Sequence, residues 1–259
     1  MGKIIAICNQ KGGVGKSTTA VNVGAYLAIS GKNTLLIDID PQGNATTACG
    51  INRKEVENDI YRVLVNNLPT KSAIRKSRID LLDIIPSTIN LAGAEPYLTN
   101  IQDRERVLKN ACESLAHDYD FILFDCPPSL GLLTVNALVA ADSTLIPVQC
   151  EYFALEGLNS LLQSVTLIKQ KLNPSLRVGG IVLTMTDFRA NLTREVADEV
   201  KTFFKELVFN TAIPRNIRLA ESPSFGKPIC LYDPYSTGAL AYQLLTQELI
   251  EKESAWSQG

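Results

Sequence analysis

The chain has 259 residues, 46% of them hydrophobic and 20% charged, with a formal net charge of −2. That is an ordinary globular composition with enough apolar residues for a sizeable core, and its near-neutral balance excludes a global basic field. Any contact with nucleic acid must therefore come from a local cluster. The single histidine, His117, excludes His-based triads and multi-His metal centres, and its surroundings suit a solvated helix end. Six cysteines (Cys8, Cys49, Cys112, Cys126, Cys150, Cys230) contain no C-x-x-C pair and read as buried free thiols. No segment approaches the ~20 apolar residues of a membrane span, and the four-residue apolar run at the N-terminus lacks a signal-peptide layout.

Apolar β-type runs alternate with helical patterns from the N-terminus onward. Ile4–Cys8 reads as a strand, residues 17–30 as a helix with Gly31 just past its end, and residues 34–37 as a second strand running into Asp38-Ile39-Asp40-Pro41-Gln42-Gly43-Asn44. Residues 52–78 suggest short charged helices, residues 80–85 a strand and residues 104–116 a helix. Phe121–Asp125 is the most strand-like run. Further expectations are a helix over 131–141, a strand over 143–148, a long amphipathic helix over 154–172, a strand over 178–183, a short strand near 213, and helices over 193–207 and 238–253. Strands joined by helical crossovers predict one doubly wound, mostly parallel sheet flanked by helices, a single domain over residues 1–259. In such sheets ligands bind beyond the carboxyl ends of the strands.

The chemistry sits at those ends. Between the first strand and first helix lies Cys8-Asn9-Gln10-Lys11-Gly12-Gly13-Val14-Gly15-Lys16-Ser17-Thr18-Thr19. Strand, glycine-rich turn and helix make a phosphate loop: glycines let backbone N–H groups from Lys11 to Thr18 converge on phosphate oxygens, and the helix N-terminus adds its dipole. Lys16 would reach the β- and γ-phosphates of ATP, and the Ser17 hydroxyl would ligate Mg²⁺. Asp125 closes an all-apolar strand, as expected of an acid reaching the Mg²⁺ region through water, and Cys126-Pro127-Pro128-Ser129-Leu130-Gly131 forms a stiff turn suited to sensing a γ-phosphate. Strand alternation puts Asp38 and Asp40 on one side, and a carboxylate beside the γ-phosphate can orient an attacking water.

The strict pattern G-x-x-x-x-G-K-[ST] fails at Gln10, where glycine would stand, and Lys11-Gly12-Gly13-Val14-Gly15-Lys16-Ser17 carries an extra lysine. In this the chain resembles the deviant phosphate-loop ATPases grouped around ParA/Soj and MinD, over residues 3 to about 252. The resemblance implies that Lys11 crosses an ATP-dependent sandwich homodimer to touch the partner's phosphates, with Gly12 at the close-approach surface. It matches the Asp38–Asn44 stretch to switch I, making Asp40 the water-positioning residue and Asp38 a metal-shell or structural partner. It matches Ile213–Pro223 to an adenine-side loop in which Pro214 packs on the base and Asn216 bonds its edge.

Residues 177–230 hold eight Lys/Arg against six acids, a small excess. Arg189 and Arg218 stand in segments resembling family stretches that bind double-stranded DNA without sequence preference; Lys227 is grouped with them, and a solvated face is the alternative for all three. A ParB-like centromere-binding partner that stimulates hydrolysis, and a cytoplasmic protein associated with the nucleoid when ATP-bound, complete what the resemblance implies. Only Met1 and Gly2 precede Lys3, so no N-terminal helix-turn-helix domain is expected. A MinD-like membrane regulator is one alternative, opposed by a tail of net charge −3 over residues 231–259. A metal-cluster carrier of the same superfamily is the other, opposed by the missing C-x-x-C.

Overall fold

The computed structural model describes residues 2–257. Seven strands form one sheet in the order β3-β4-β2-β5-β1-β6-β7: β1 (Lys3–Ile7), β2 (Thr34–Asp38), β3 (Arg75–Lys76), β4 (Leu82–Ile85), β5 (Phe121–Asp125), β6 (Ser143–Gln149) and β7 (Arg177–Thr184). All neighbours are parallel except β3, which runs antiparallel along the edge of β4. The helices are α1 (Lys16–Ile29), α2 (Asn44–Ala48), α3 (Ile60–Val65), α4 (Ala94–Leu98), α5 (Val107–Glu113), α6 (Leu132–Ala140), α7 (Ala154–Lys171), α8 (Asn191–Phe204), α9 (Ile217–Glu221), α10 (Ile229–Tyr232) and α11 (Thr237–Ser257).

Continuous apolar strands demand cover on both faces, and period-two alternation divides them between two cores. Ala6, Leu35, Ile37, Ile122 and Phe124 pack toward α3–α8. Ile5, Ile7, Leu36, Phe121 and Leu123 pack toward α1, α2 and α9–α11. The stripe Leu245 and Leu249 of α11 is buried there, with Tyr242 hydroxyl 3.1 Å from Thr19 Oγ1 on α1, so this face of the C-terminal helix serves packing. No helix among the described residues is long and apolar enough to cross a membrane. All six cysteines are free, five of them buried.

Several boundaries differ from expectation for local reasons. The fourth strand starts at Leu82 because residues 79–82 form a tight turn, with Leu81 at φ 65° and Leu82 N–H donating to Ile79 O. The helix expected over 104–116 is regular only at Val107–Glu113. No strand forms near 213; the segment makes only isolated bridges, Ile181 with Val208 and Thr186 with Pro214. The short helix α2 was not anticipated. Five residues are too few to display a helical period.

Register brings the strand-end chemistry together. Ile7 of β1 and Asp38 of β2 both lie opposite Asp125 of β5. The phosphate loop, the Asp38–Gly43 turn and the Cys126–Gly131 turn therefore leave the sheet side by side at its carboxyl edge.

Candidate active site

The phosphate loop is pinned at both ends. The buried Asn9 side chain donates to Pro147 O at 2.7 Å and accepts Lys11 N–H at 3.0 Å, while Thr184 Oγ1 on β7 donates to Val14 O at 2.9 Å. Gly13 and Gly15 sit at φ 77° and 88°, a backbone region costly for residues with a Cβ, and Gly15 caps α1. The loop faces a cleft of about 510 Å³ lined by Gly12, Gly13, Gly15, Lys16, Ser17 and Thr18, and across from them by Asp40, Gln42 and Pro128. Lys16 is 7% exposed and its Nζ donates to Lys11 O at 3.0 Å, a carbonyl that a phosphate oxygen can replace. Burial lowers its pKa, against the opposing pull of Asp125 and Asp40.

Three aspartates behave differently. Asp38 is fully buried and fully engaged: Oδ2 accepts Thr46 N–H at 2.8 Å and Thr46 Oγ1–H at 2.6 Å, and Oδ1 accepts Asp40 N–H at 3.1 Å. Of the two roles open to Asp38, this geometry is that of a structural partner, holding α2 against the end of β2. Asp40 is 5% exposed and lines the cleft; Oδ1 accepts Gln42 N–H at 2.9 Å and its carbonyl accepts Ser87 Oγ–H at 2.7 Å. Asp125 is fully buried; the Ser17 hydroxyl lies beside its carboxyl group, yet among the described residues neither oxygen receives a well-formed hydrogen bond. Burial, then the nearby Asp38 charge, hold its pKa well above the usual carboxylate range, with the Ser17 hydroxyl acting in the opposite direction.

A buried carboxyl group with no well-formed hydrogen bond, set beside a serine hydroxyl, fits a hydrated divalent cation, which would offset the cost of its burial. Among the described residues no three Asp, Glu, His or Cys side chains converge tightly enough to hold a metal alone. Such a cation would take its remaining ligands from phosphate and water, as Mg²⁺ does.

Thr46 joins these parts: besides serving Asp38, its Oγ1 accepts Ser87 N–H at 2.9 Å. Thr46→Val keeps the side-chain shape but strips a donor from a buried carboxylate and an acceptor from a buried amide. We expect it to cost about 2–4 kcal/mol, read as a lowered urea midpoint with unchanged slope.

The remaining expected site residues lie as follows. Lys11 Nζ is ion-paired with Glu151, just past β6, with both side chains nearly half exposed. A Cβ on Gly12 would meet only Pro128 Cβ, at 3.9 Å, so within one chain the surface there is open. Pro214 and Asn216 are not among the residues lining the cleft. Asn216 caps α9, its Oδ1 accepting Arg218 N–H and Leu219 N–H, and its Nδ2 donating to Thr237 Oγ1 at 2.9 Å. It would have to release Thr237 to read a base edge. Arg189 pairs bidentately with Asp187, and Arg218 with Glu221 and Asp233, all near the surface. Lys227, grouped by sequence with those arginines, instead lines the cleft beside Ser222, Pro223 and Ser224, because the turn at Gly226 packs back onto Gly50 at the end of α2.

Sequence reasoning missed Asn9, Thr46, Ser87, Arg53 and Glu151. Only Asn9 carried a signal, as a buried polar residue inside the motif. The others act on partners between eight and 140 residues away, outside any local motif.

A model described as an AAA domain matches residues 2–178. The chain is 55% identical to the sporulation initiation inhibitor protein Soj of Bacillus subtilis, over 96% of its own length and 98% of that protein. It is 51% identical to the chromosome partitioning protein ParA of Myxococcus xanthus, covering 98% of this chain and 90% of that one. The chain belongs to the ParA/Soj family. Among solved structures, cobyrinic acid a,c-diamide synthase from Mycobacterium smegmatis, crystallised with ADP and magnesium, superposes with a TM-score of 0.86 at 34% identity, covering 98% of this chain and 96% of that one. The ParA/Soj fold therefore places this chain's phosphate loop, Asp40 and Asp125 on the scaffold of a nucleotide-binding sheet.

Proposed function

We propose that this ParA/Soj-family chain is a partition ATPase that hydrolyses ATP slowly on its own and works as a nucleotide-gated dimer on DNA. The observation that carries the chemistry is the buried Asp125 carboxyl group beside Ser17 beneath the phosphate loop, with no well-formed hydrogen bond to either oxygen. Ser17 and, through water, Asp125 would hold Mg²⁺, which supplies charge neutralisation on the β- and γ-phosphates. Lys16 exchanges the Lys11 carbonyl for phosphate, and the loop amides bind the remaining oxygens. Asp40 orients the attacking water, held in aim by Gln42 N–H.

Lys11 leaves Glu151 and crosses to the partner copy's phosphates, so ATP binding and dimerisation are coupled. Arg189 and Arg218 release their carboxylates to DNA phosphates, two of each per dimer. Such contacts are sequence-independent and weaken steeply with salt. A ParB-like partner accelerates hydrolysis and resets the monomer, releasing the protein from the nucleoid.

Binding to nonspecific duplex DNA tests this. Asp40→Ala with ATP and Mg²⁺ should dimerise and retain DNA at low salt, and adding Arg218→Glu should weaken retention at least about tenfold. A dimeric Asp40→Ala that ignores DNA at low salt sinks the partition mechanism while leaving the ATPase chemistry standing.

A further inference from the structure

The turn that carries Asp40 is gripped from outside by an arginine to which no role has been assigned. Arg53, in the short 3-10 turn Arg53–Glu55, donates Nη2–H to Pro41 O at 2.9 Å and Nη1–H to Gln42 O. Its guanidinium lies against Gly43, where a Cβ would overlap Nε and Cζ. Gly43 sits at φ 62° and caps α2, so the conformation and the close approach both favour glycine at that position. No carboxylate pairs with Arg53 among the described residues, and its Nε has no acceptor. The side chain is therefore committed to two consecutive main-chain carbonyls rather than to an opposite charge.

Those carbonyls belong to the residues that aim Asp40. Gln42 N–H holds the Asp40 carboxylate at 2.9 Å, and Gly43 N–H bonds the Asp40 carbonyl at 2.9 Å. Ser87 Oγ–H holds the same carbonyl at 2.7 Å from the opposite side. The turn is thus clamped between a guanidinium outside and a buried serine inside, with the water-facing carboxylate between them.

We infer that Arg53 is a positioning residue for hydrolysis, fixing the Asp40 carboxylate through the Pro41 and Gln42 carbonyls. The inference rests on Asp40 orienting the attacking water. A planar fork can meet two adjacent carbonyls at once, whereas a lysine ammonium meets them as a single point charge. Displacements of about 1 Å at a reacting group can cost up to about 100-fold in rate. Arg53 holds a wall residue, Gln42, by its main chain but does not itself line the cleft, so its loss should act on turnover more than on nucleotide affinity.

The test compares Arg53→Lys, Arg53→Ala, Gly43→Ala and Asp40→Ala, with turnover expressed per bound nucleotide. Arg53→Ala should lower kcat about 10–100-fold with KM for ATP moving less than about threefold, and Arg53→Lys should fall between it and the parent. Gly43→Ala, which displaces the guanidinium without removing its charge, should reproduce the Arg53→Ala split. Amide exchange at Asp40, Gln42 and Gly43, measured without nucleotide, should quicken in all three. A kcat within twofold of the parent, a KM that rises in step with the lost turnover, or unchanged exchange at those three amides would overturn the inference. Asp40→Ala separates the two claims. If it is inactive while Arg53→Ala is active, only the inference about Arg53 fails; if it turns over normally, the role of Asp40 falls and this one with it.

Discussion

Asp40→Ala is expected to lower ATP turnover at least about 100-fold while ATP still binds. The carboxylate lines the cleft opposite the phosphate loop, with one oxygen committed to Gln42 N–H and the other carrying no hydrogen bond from the protein. It contributes no donor to the phosphates, so its loss removes no binding contact. It also removes a buried negative charge from a site that already holds Asp38 and Asp125, and relieving that repulsion should leave ATP affinity equal or higher. Phosphate release and equilibrium dialysis with labelled ATP measure the two quantities separately. Turnover persisting within a few-fold of the parent would mean that the attacking water is oriented elsewhere.

Lys11→Ala is expected to cost turnover about 10³-fold, the scale of a charge supplied in trans to a phosphoryl group. Folding should not account for the loss. The Lys11–Glu151 pair is nearly half exposed, and such pairs contribute under about 1 kcal/mol. Binding of ATP by the single chain should also survive, because Lys16, Ser17 and the loop amides remain.

Mixing makes the test decisive. In a mixed dimer of Lys11→Ala with Asp40→Ala subunits, the Lys11→Ala subunit keeps its own Asp40 and receives Lys11 from its partner. Activity should return in the mixture if Lys11 acts across the interface. No recovery in a mixture shown to form mixed dimers would place Lys11 within its own site and remove the link between dimerisation and chemistry.

Much of this site is legible in the sequence alone. The phosphate loop is contiguous, so its glycines, Lys16 and Ser17 declare one another. Asp125 announces itself because an all-apolar run ending in an acid is legible as a buried parallel strand. Asp38 and Asp40 were legible as a pair but not in their division of labour, since what separates them is Thr46.

Thr46, Ser87 and Arg53 were invisible for a common reason. Each is an ordinary surface residue type whose partner lies outside any local motif, eight to 47 residues away. Glu151 lies 140 residues from Lys11. Asn216, as a free amide, looked suited to a base edge. In the fold, the cap of α9 and Thr237 already use that amide. Charge counting groups Lys227 with the arginines but cannot see that Gly226 turns the chain back toward the cleft.

The hydroxyl of Thr46 has one further consequence. It donates a hydrogen bond to Asp38 at the end of β2 and accepts one from the Ser87 amide just beyond β4. A displacement of α2 large enough to break one of these bonds breaks the other in the same motion, and strands a buried carboxylate and a buried amide together. The energy of small excursions therefore rises abruptly rather than gradually, so α2 and the Asp40 turn should respond to the cleft as a ratchet tooth does, seated or lifted, with little population between.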